Sequence, residues 1–296
     1  MSEVPWPFGR CILCLNEREL TLEHVIPRQI GGRLTARFLC KECNDELGHR
    51  IESRVRSDPS IQLASENLRE QIPELATAIQ AGEPYLALGP GRKVPGSFKD
   101  GRFTVRSAEQ DDGSLVHPTS EAIQHLRRIL SKRGLSGDEV EQRLEEFAEA
   151  PDNALVDLGV SVQAIRWGVE EIRPALEGPF ISSAVLAKIA YEFLACHAGE
   201  LVLEDRAKLA GLREAVLGES EDAIEVERMH SSEYRPLHGL AMRHTDHAVV
   251  HVCLFGWYVF YVHLRQIALA PPHFIYTCEL DSGEEHLSVL QAETAG

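Results

Sequence analysis

No stretch of this 296-residue chain holds the roughly 20 consecutive apolar residues that a membrane span requires. The longest apolar run, Ala248–Leu264, is interrupted by His251 and His263 and has Gly256 near its middle. It reads as two buried strands around a Phe255-Gly256 turn. The opening residues, Met-Ser-Glu-Val-Pro-Trp-Pro, lack the basic and apolar regions of a secretory leader, so the expectation is a soluble, cytoplasmic chain with no membrane partner. Positive charge is also short. The formal net charge is −16, which excludes coating of nucleic acid by bulk attraction and confines any phosphate contact to a local patch. Internal repeats, low-complexity tracts and phosphate-binding glycine loops are missing as well. Apolar residues make up 44% and charged residues 26%, an ordinary globular balance over a length that suits about two domains.

The missing positive charge is unevenly distributed. Residues 1–60 carry nine Lys or Arg against nine Asp or Glu, so the acidic excess belongs wholly to residues 61–296. A neutral, arginine-dotted head on an acidic body implies a division of labour.

Seven cysteines are present, and four form two Cys-x-x-Cys pairs, Cys11/Cys14 and Cys40/Cys43, with 25 residues between the pairs. A disulfide framework spreads its cysteines through a small secreted chain. Paired knuckles close together instead fit a four-thiolate Zn²⁺ site, in which each tight turn supplies two ligands. Four thiolates leave no open position, so this zinc is structural. Cys196, Cys253 and Cys278 stand singly in apolar surroundings and read as small hydrophobes.

The order through the head is knuckle, strand, turn, strand, knuckle, helix. The strands are expected near Leu20–His24 and Ala36–Leu39. The helix follows from Leu47, Ile51 and Val55 at four-residue spacing, with Pro59 as its stop. Beyond it, a helix is expected over Asn67–Gln80, hairpins over 83–116 and amphipathic helices at Thr119–Lys132 and Gly137–Ala148. Strand-like alternation follows over Val156–Ile172. An apolar helix capped by Ser182 or Ser183 is next, then a shorter one around Leu203–Leu217 and strands from Leu237 to Ile275. The fold class is α+β: a small zinc-stabilised unit, residues 1–60, and a mixed α+β domain, residues 61–296.

Between the knuckles lies Leu20-Thr-Leu-Glu23-His24-Val-Ile-Pro27-Arg-Gln-Ile-Gly-Gly, and Asn44 directly follows the last knuckle cysteine. This arrangement resembles the HNH endonucleases, the ββα-metal or treble-clef nucleases, in their four-cysteine, endonuclease VII-like layout. The resemblance covers about residues 10–55. It implies Glu23 and Asn44 as protein ligands of a catalytic divalent ion, Mg²⁺ or Mn²⁺, and His24 as general base. The amide that braces the metal loop in the family has no counterpart at Thr35 or Ala36. Arg28, Arg33, Arg37, Arg50 and His49 flank the motif as candidate phosphate contacts.

The chemistry of the motif is coherent. A hard divalent cation takes oxygen ligands and keeps room for phosphate and water. Consecutive residues on a strand face opposite sides, so Glu23 can hold the ion while His24 reaches a water. A neighbouring cation disfavours the imidazolium and leaves His24 able to accept a proton. The implied reaction is hydrolysis of DNA phosphodiester bonds to 5′-phosphate and 3′-hydroxyl ends, with RNA as the alternative polymer. The competing reading is a catalytically silent treble-clef module that binds nucleic acid or protein. A third makes the nuclease an effector switched by the body, with a regulatory partner or a second copy engaged through residues 61–296.

Overall fold

A computed structural model describes residues 2–82, 119–149, 181–204, 206–244, 247–265, 267 and 273–290, together with short strands between 85 and 163. The chain forms two compact units: residues 1–83 with 176–296, and residues 84–175. The fold is mixed α+β, with the four-cysteine segment at its N-terminal end.

In the first unit a three-stranded sheet opens the chain. Strand β1 (Glu3–Val4) runs parallel to β3 (Thr35–Cys40), and β2 (Leu20–His24) pairs antiparallel on the other side of β3. Helix α1 (Lys41–Arg50) starts directly from β3, with Cys40 as its N-cap. The β2–β3 connection turns through Arg28–Ile30 and Gly31-Gly32. Gly32 is required there, because a Cβ would stand 1.8 Å from the Ile26 carbonyl oxygen.

Pro59 does not end a helix, as the sequence suggested, but begins one. Helix α2 (Pro59–Asn67) is capped by the Asp58 carboxylate, which accepts from the Ser60 and Ile61 amides, and proline suits the first helical position. The helix expected over Asn67–Gln80 is likewise shorter. Helix α3 (Pro73–Gln80) begins at a second proline, and α2 has already ended at Asn67.

Helix α4 (Ser183–His197) forms where its apolar pattern placed it, with the Ser182 hydroxyl accepting from the Val185 amide at 3.3 Å. The segment around Leu203–Leu217 holds two short helices, α5 (Gly199–Glu204) and α6 (Ala210–Val216), where one was expected. Six antiparallel strands follow: β4 (Ile224–His230), β5 (Leu237–His244), β6 (Ala248–Leu254), β7 (Tyr258–Leu264), β8 (His273–Glu279) and β9 (Glu285–Leu290). Their spatial order is β4-β7-β6-β5-β8-β9. The β6–β7 hairpin turns on Phe255 and Gly256, both at positive φ (55° and 61°), as the sequence indicated.

One apolar core binds this unit together. It runs from Ile12, Leu34 and Phe38 in the head, through Leu186, Ile189 and Phe193 on α4, to Leu240, Val250, Val252 and Val262 on the sheet. His238 on β5 is buried between the two ends. Its Nδ1 accepts from the Phe255 amide (3.2 Å), so its Nε2 carries the hydrogen donated to the Ile30 carbonyl (2.8 Å).

In the second unit two helices, Thr119–Lys132 and Gly137–Glu149, pack through Leu126, Leu130, Val140, Leu144 and Phe147. Short strands occur where hairpins were expected, at Lys93–Lys99 and Arg102–Val105 among others. Of the strand-like stretch Val156–Ile172, only residues 156–157, within the strand Leu155–Asp157, and Ser161–Gln163 are described; the remainder lies outside the described residues.

Candidate metal centre and acid–base pair

The first knuckle wraps from Cys11 to Leu15. The Leu15 amide donates to the Cys11 carbonyl, and Leu15 itself sits at φ 62°. The Arg10 guanidinium holds the Leu15 carbonyl from outside. The second knuckle is the β3–α1 junction, with Cys40 at the cap and Cys43 in the first turn. All four cysteines are free thiols, and their sulfurs lie within 4.8 Å of one another. A zinc tetrahedron with arms of about 2.3 Å has edges of about 3.8 Å. The Cys14–Cys40 separation is 3.9 Å. The donor set and its spacing fit zinc. Hydrogen bonding from Cys43 lowers the Cys11 thiol to about 5, against burial, and raises Cys43 in return.

The acid–base dipeptide lies at the end of β2, just past a β-bulge between Thr21 and Glu23. Bulges re-aim the side chains that follow them. Asn44 stabilises this one: its Nδ2 donates to Thr21 Oγ1 (2.9 Å) and to the Leu22 carbonyl (3.2 Å). These two bonds tie α1 to β2 beside the register shift. Thr35 is itself buried and donates to the Ser2 carbonyl.

Glu23 turns inward and is 5% exposed. Its Oε1 accepts from Lys188 Nζ at 2.7 Å. Lys188 sits on α4 with no exposed surface, and Glu52 Oε1 (2.7 Å) and Glu192 Oε2 (2.9 Å) also face its ammonium. The same nitrogen donates to the His24 carbonyl and lies 3.4 Å from that of Val25. Burial opposes charge on Lys188, but Glu192, Glu23 and Glu52 outweigh it and hold its pKa well above the usual lysine value. Burial drives Glu192 well above the ordinary carboxylate range, with Lys188 opposing.

His24 is half-buried. Burial lowers its pKa below the usual imidazole value, Lys188 and Arg28 push the same way, and Glu52 opposes them. The imidazole is therefore neutral at pH 7 and able to accept a proton. The described bonds use Glu23 Oε1 and Asn44 Nδ2. Glu23 Oε2 and Asn44 Oδ1 are left as hard oxygen donors, the chemistry that suits Mg²⁺ or Mn²⁺.

The flanking basic residues separate. Arg28 is exposed and acts electrostatically on His24. The Arg33 guanidinium lies against Gly283, where an added Cβ would come within 2.7 Å of it. Arg37 is exposed and pairs with Glu3 at 3.3 Å, and Arg50 pairs with Glu46 at 2.8 Å. His49 is exposed on α1. His247 precedes strand β6 and His251 lies within it. Among the described residues the four cysteines form the only close cluster of three or more metal-ligating side chains.

Sequence reasoning passed over Lys188, Glu52 and Glu192. The available signal was Lys188 and Glu192 four residues apart inside an otherwise apolar helix. Ionisable groups in such a face need partners from elsewhere in the chain.

Compared with known proteins, residues 11–60 match a family described as HNH endonuclease. That segment contains the two knuckles, Glu23, His24, Asn44 and Glu52. No curated protein and no solved structure matches the chain.

Proposed function

We propose that the segment 11–60 is the catalytic unit of a metal-dependent endonuclease that hydrolyses phosphodiester bonds in DNA. The observation that carries this reading is the Glu23-His24 step past the register shift, with the carboxylate turned inward and a half-buried imidazole near exposed Arg28. Glu23 and Asn44 would hold the divalent ion through their oxygens. When bound, the ion supplies Lewis-acid stabilisation of the charge developing on the phosphate. His24 takes the proton from the attacking water. Arg28 pairs with a phosphate next to the cut. Asn44 keeps the bulge, and with it the aim of both side chains, fixed. The four-thiolate zinc supplies the scaffold and takes no part in the reaction.

The test is nicking of supercoiled plasmid by the full chain with Mg²⁺ or Mn²⁺. Glu23→Ala and His24→Ala should each abolish cutting while zinc content stays at the wild-type level. One observation favours the silent module: an ammonium already contacts Glu23. Failure of wild type to cut, alongside both variants, would overturn the reading and favour that alternative.

A further inference from the structure

Lys188 has no exposed surface, so it cannot touch a nucleic acid. What it touches is the acid–base strand: Glu23 through its carboxylate, then His24 and Val25 through their carbonyls, three successive residues. We propose that Lys188 is a positioning residue of the nuclease site, so that α4, far along the chain, completes the site carried by residues 11–60. The inference rests on the nuclease reading above.

An ammonium has three hydrogens to donate, and here five oxygens surround it. Glu52 and Glu192 approach at 2.7 and 2.9 Å and fix the nitrogen, which in turn fixes Glu23. Around this cluster α4 is apolar: Leu186, Ala187, Ile189 and Ala190 are all buried. Stability alone does not account for charges in such surroundings, since well-packed hydrophobic residues often replace a buried ion cluster at no loss. Orientation does account for them. Lys188 grips the end of β2 just past the register shift, where Glu23 and His24 have resumed pairing with Ala36 and Thr35, and its bond to the Glu23 carboxylate fixes a side-chain aim that backbone pairing alone does not set.

The experiment uses the full chain carrying Lys188→Met together with Glu192→Gln, compared with Glu192→Gln alone and with wild type. Zinc content and melting temperature report the fold. Amide hydrogen exchange over residues 20–25 reports the strand, and kcat and KM on plasmid with Mn²⁺ report the site. The expected result is retained zinc, KM within about twofold, faster exchange at His24 and Val25, and kcat lower on the order of a hundredfold, the scale of a small misplacement of reacting groups. A folded double variant with wild-type kcat and unchanged exchange overturns the proposal. If the methionine variant does not fold, Lys188→Gln with Glu192→Gln gives the same readings with a neutral donor in place. If wild type itself does not cut, the nuclease reading fails on its own, and exchange decides the remainder: faster exchange supports positioning by Lys188, and unchanged exchange overturns it.

Discussion

Lys188 and Glu23 lie 165 residues apart in the chain and 2.7 Å apart in the fold. The contact joins the helix of the C-terminal part to the strand that carries the acid–base pair, within one continuous apolar core. Breaking a buried pair by removing one partner leaves an uncompensated charge and costs about 3–5 kcal/mol. Lys188→Ala should therefore lower stability by that amount, read as a fall in the urea midpoint. Glu192→Gln should cost less than Lys188→Ala, because Glu23 and Glu52 still face the ammonium and the amide keeps the size of the side chain.

Zinc removal should unfold more than the head. A structural four-thiolate site contributes on the order of 10 kcal/mol to folding. Cys11 and Cys40 share the core that continues into α4 and the six-stranded sheet. Cys43→Ser should lose bound zinc, measured by elemental analysis. Circular dichroism should show loss of sheet signal as well as of the small N-terminal unit.

Acid should destabilise the chain through His238. Burial lowers this imidazole from the usual 6.5 to about 4. Its folded pKa lies below the unfolded one, so the unfolded chain binds the proton first. Stability is complete above pH 6.5 and falls as the pH drops towards 4, by about 3 kcal/mol for a shift of this size. Protonating Nδ1 would also set a hydrogen against the Phe255 amide. Urea melts at pH 7 and pH 4.5 should differ in wild type, and the difference should shrink in His238→Gln.

Asn44 should separate bracing from ligation. Asn44→Ala removes two hydrogen bonds to the bulge and should cost about 1–2 kcal/mol, read as a lower melting temperature. Asn44→Asp keeps a hard oxygen but loses the donors. It should retain Mn²⁺ binding while sharing the loss in melting temperature.

The sequence disclosed what local chemistry dictates. Two knuckles at zinc spacing, the Phe255-Gly256 turn, the Ser182 cap and the apolar face of α4 were all readable, because each depends on residues close in the chain. Prolines were harder. Pro59 and Pro73 both begin helices, and a proline reads alike as a stop or as a first helical residue until the cap beside it is recognised. In the candidate site, Glu23, His24 and Asn44 came from a compact motif. Lys188, Glu52 and Glu192 did not, because their meaning lies in a contact that spans most of the chain, which no local pattern records. The bulge escaped for the same reason: it exists only in the pairing of β2 with β3.

The reading turns on whether Glu23 takes a divalent ion in addition to the ammonium it already meets. Titration of the zinc-loaded chain with Mn²⁺, followed by electron paramagnetic resonance, measures this directly. Wild type should bind Mn²⁺ at a site that Mg²⁺ empties, and Glu23→Gln should lose that site with its zinc unchanged. Equal Mn²⁺ binding by the two proteins would contradict the account.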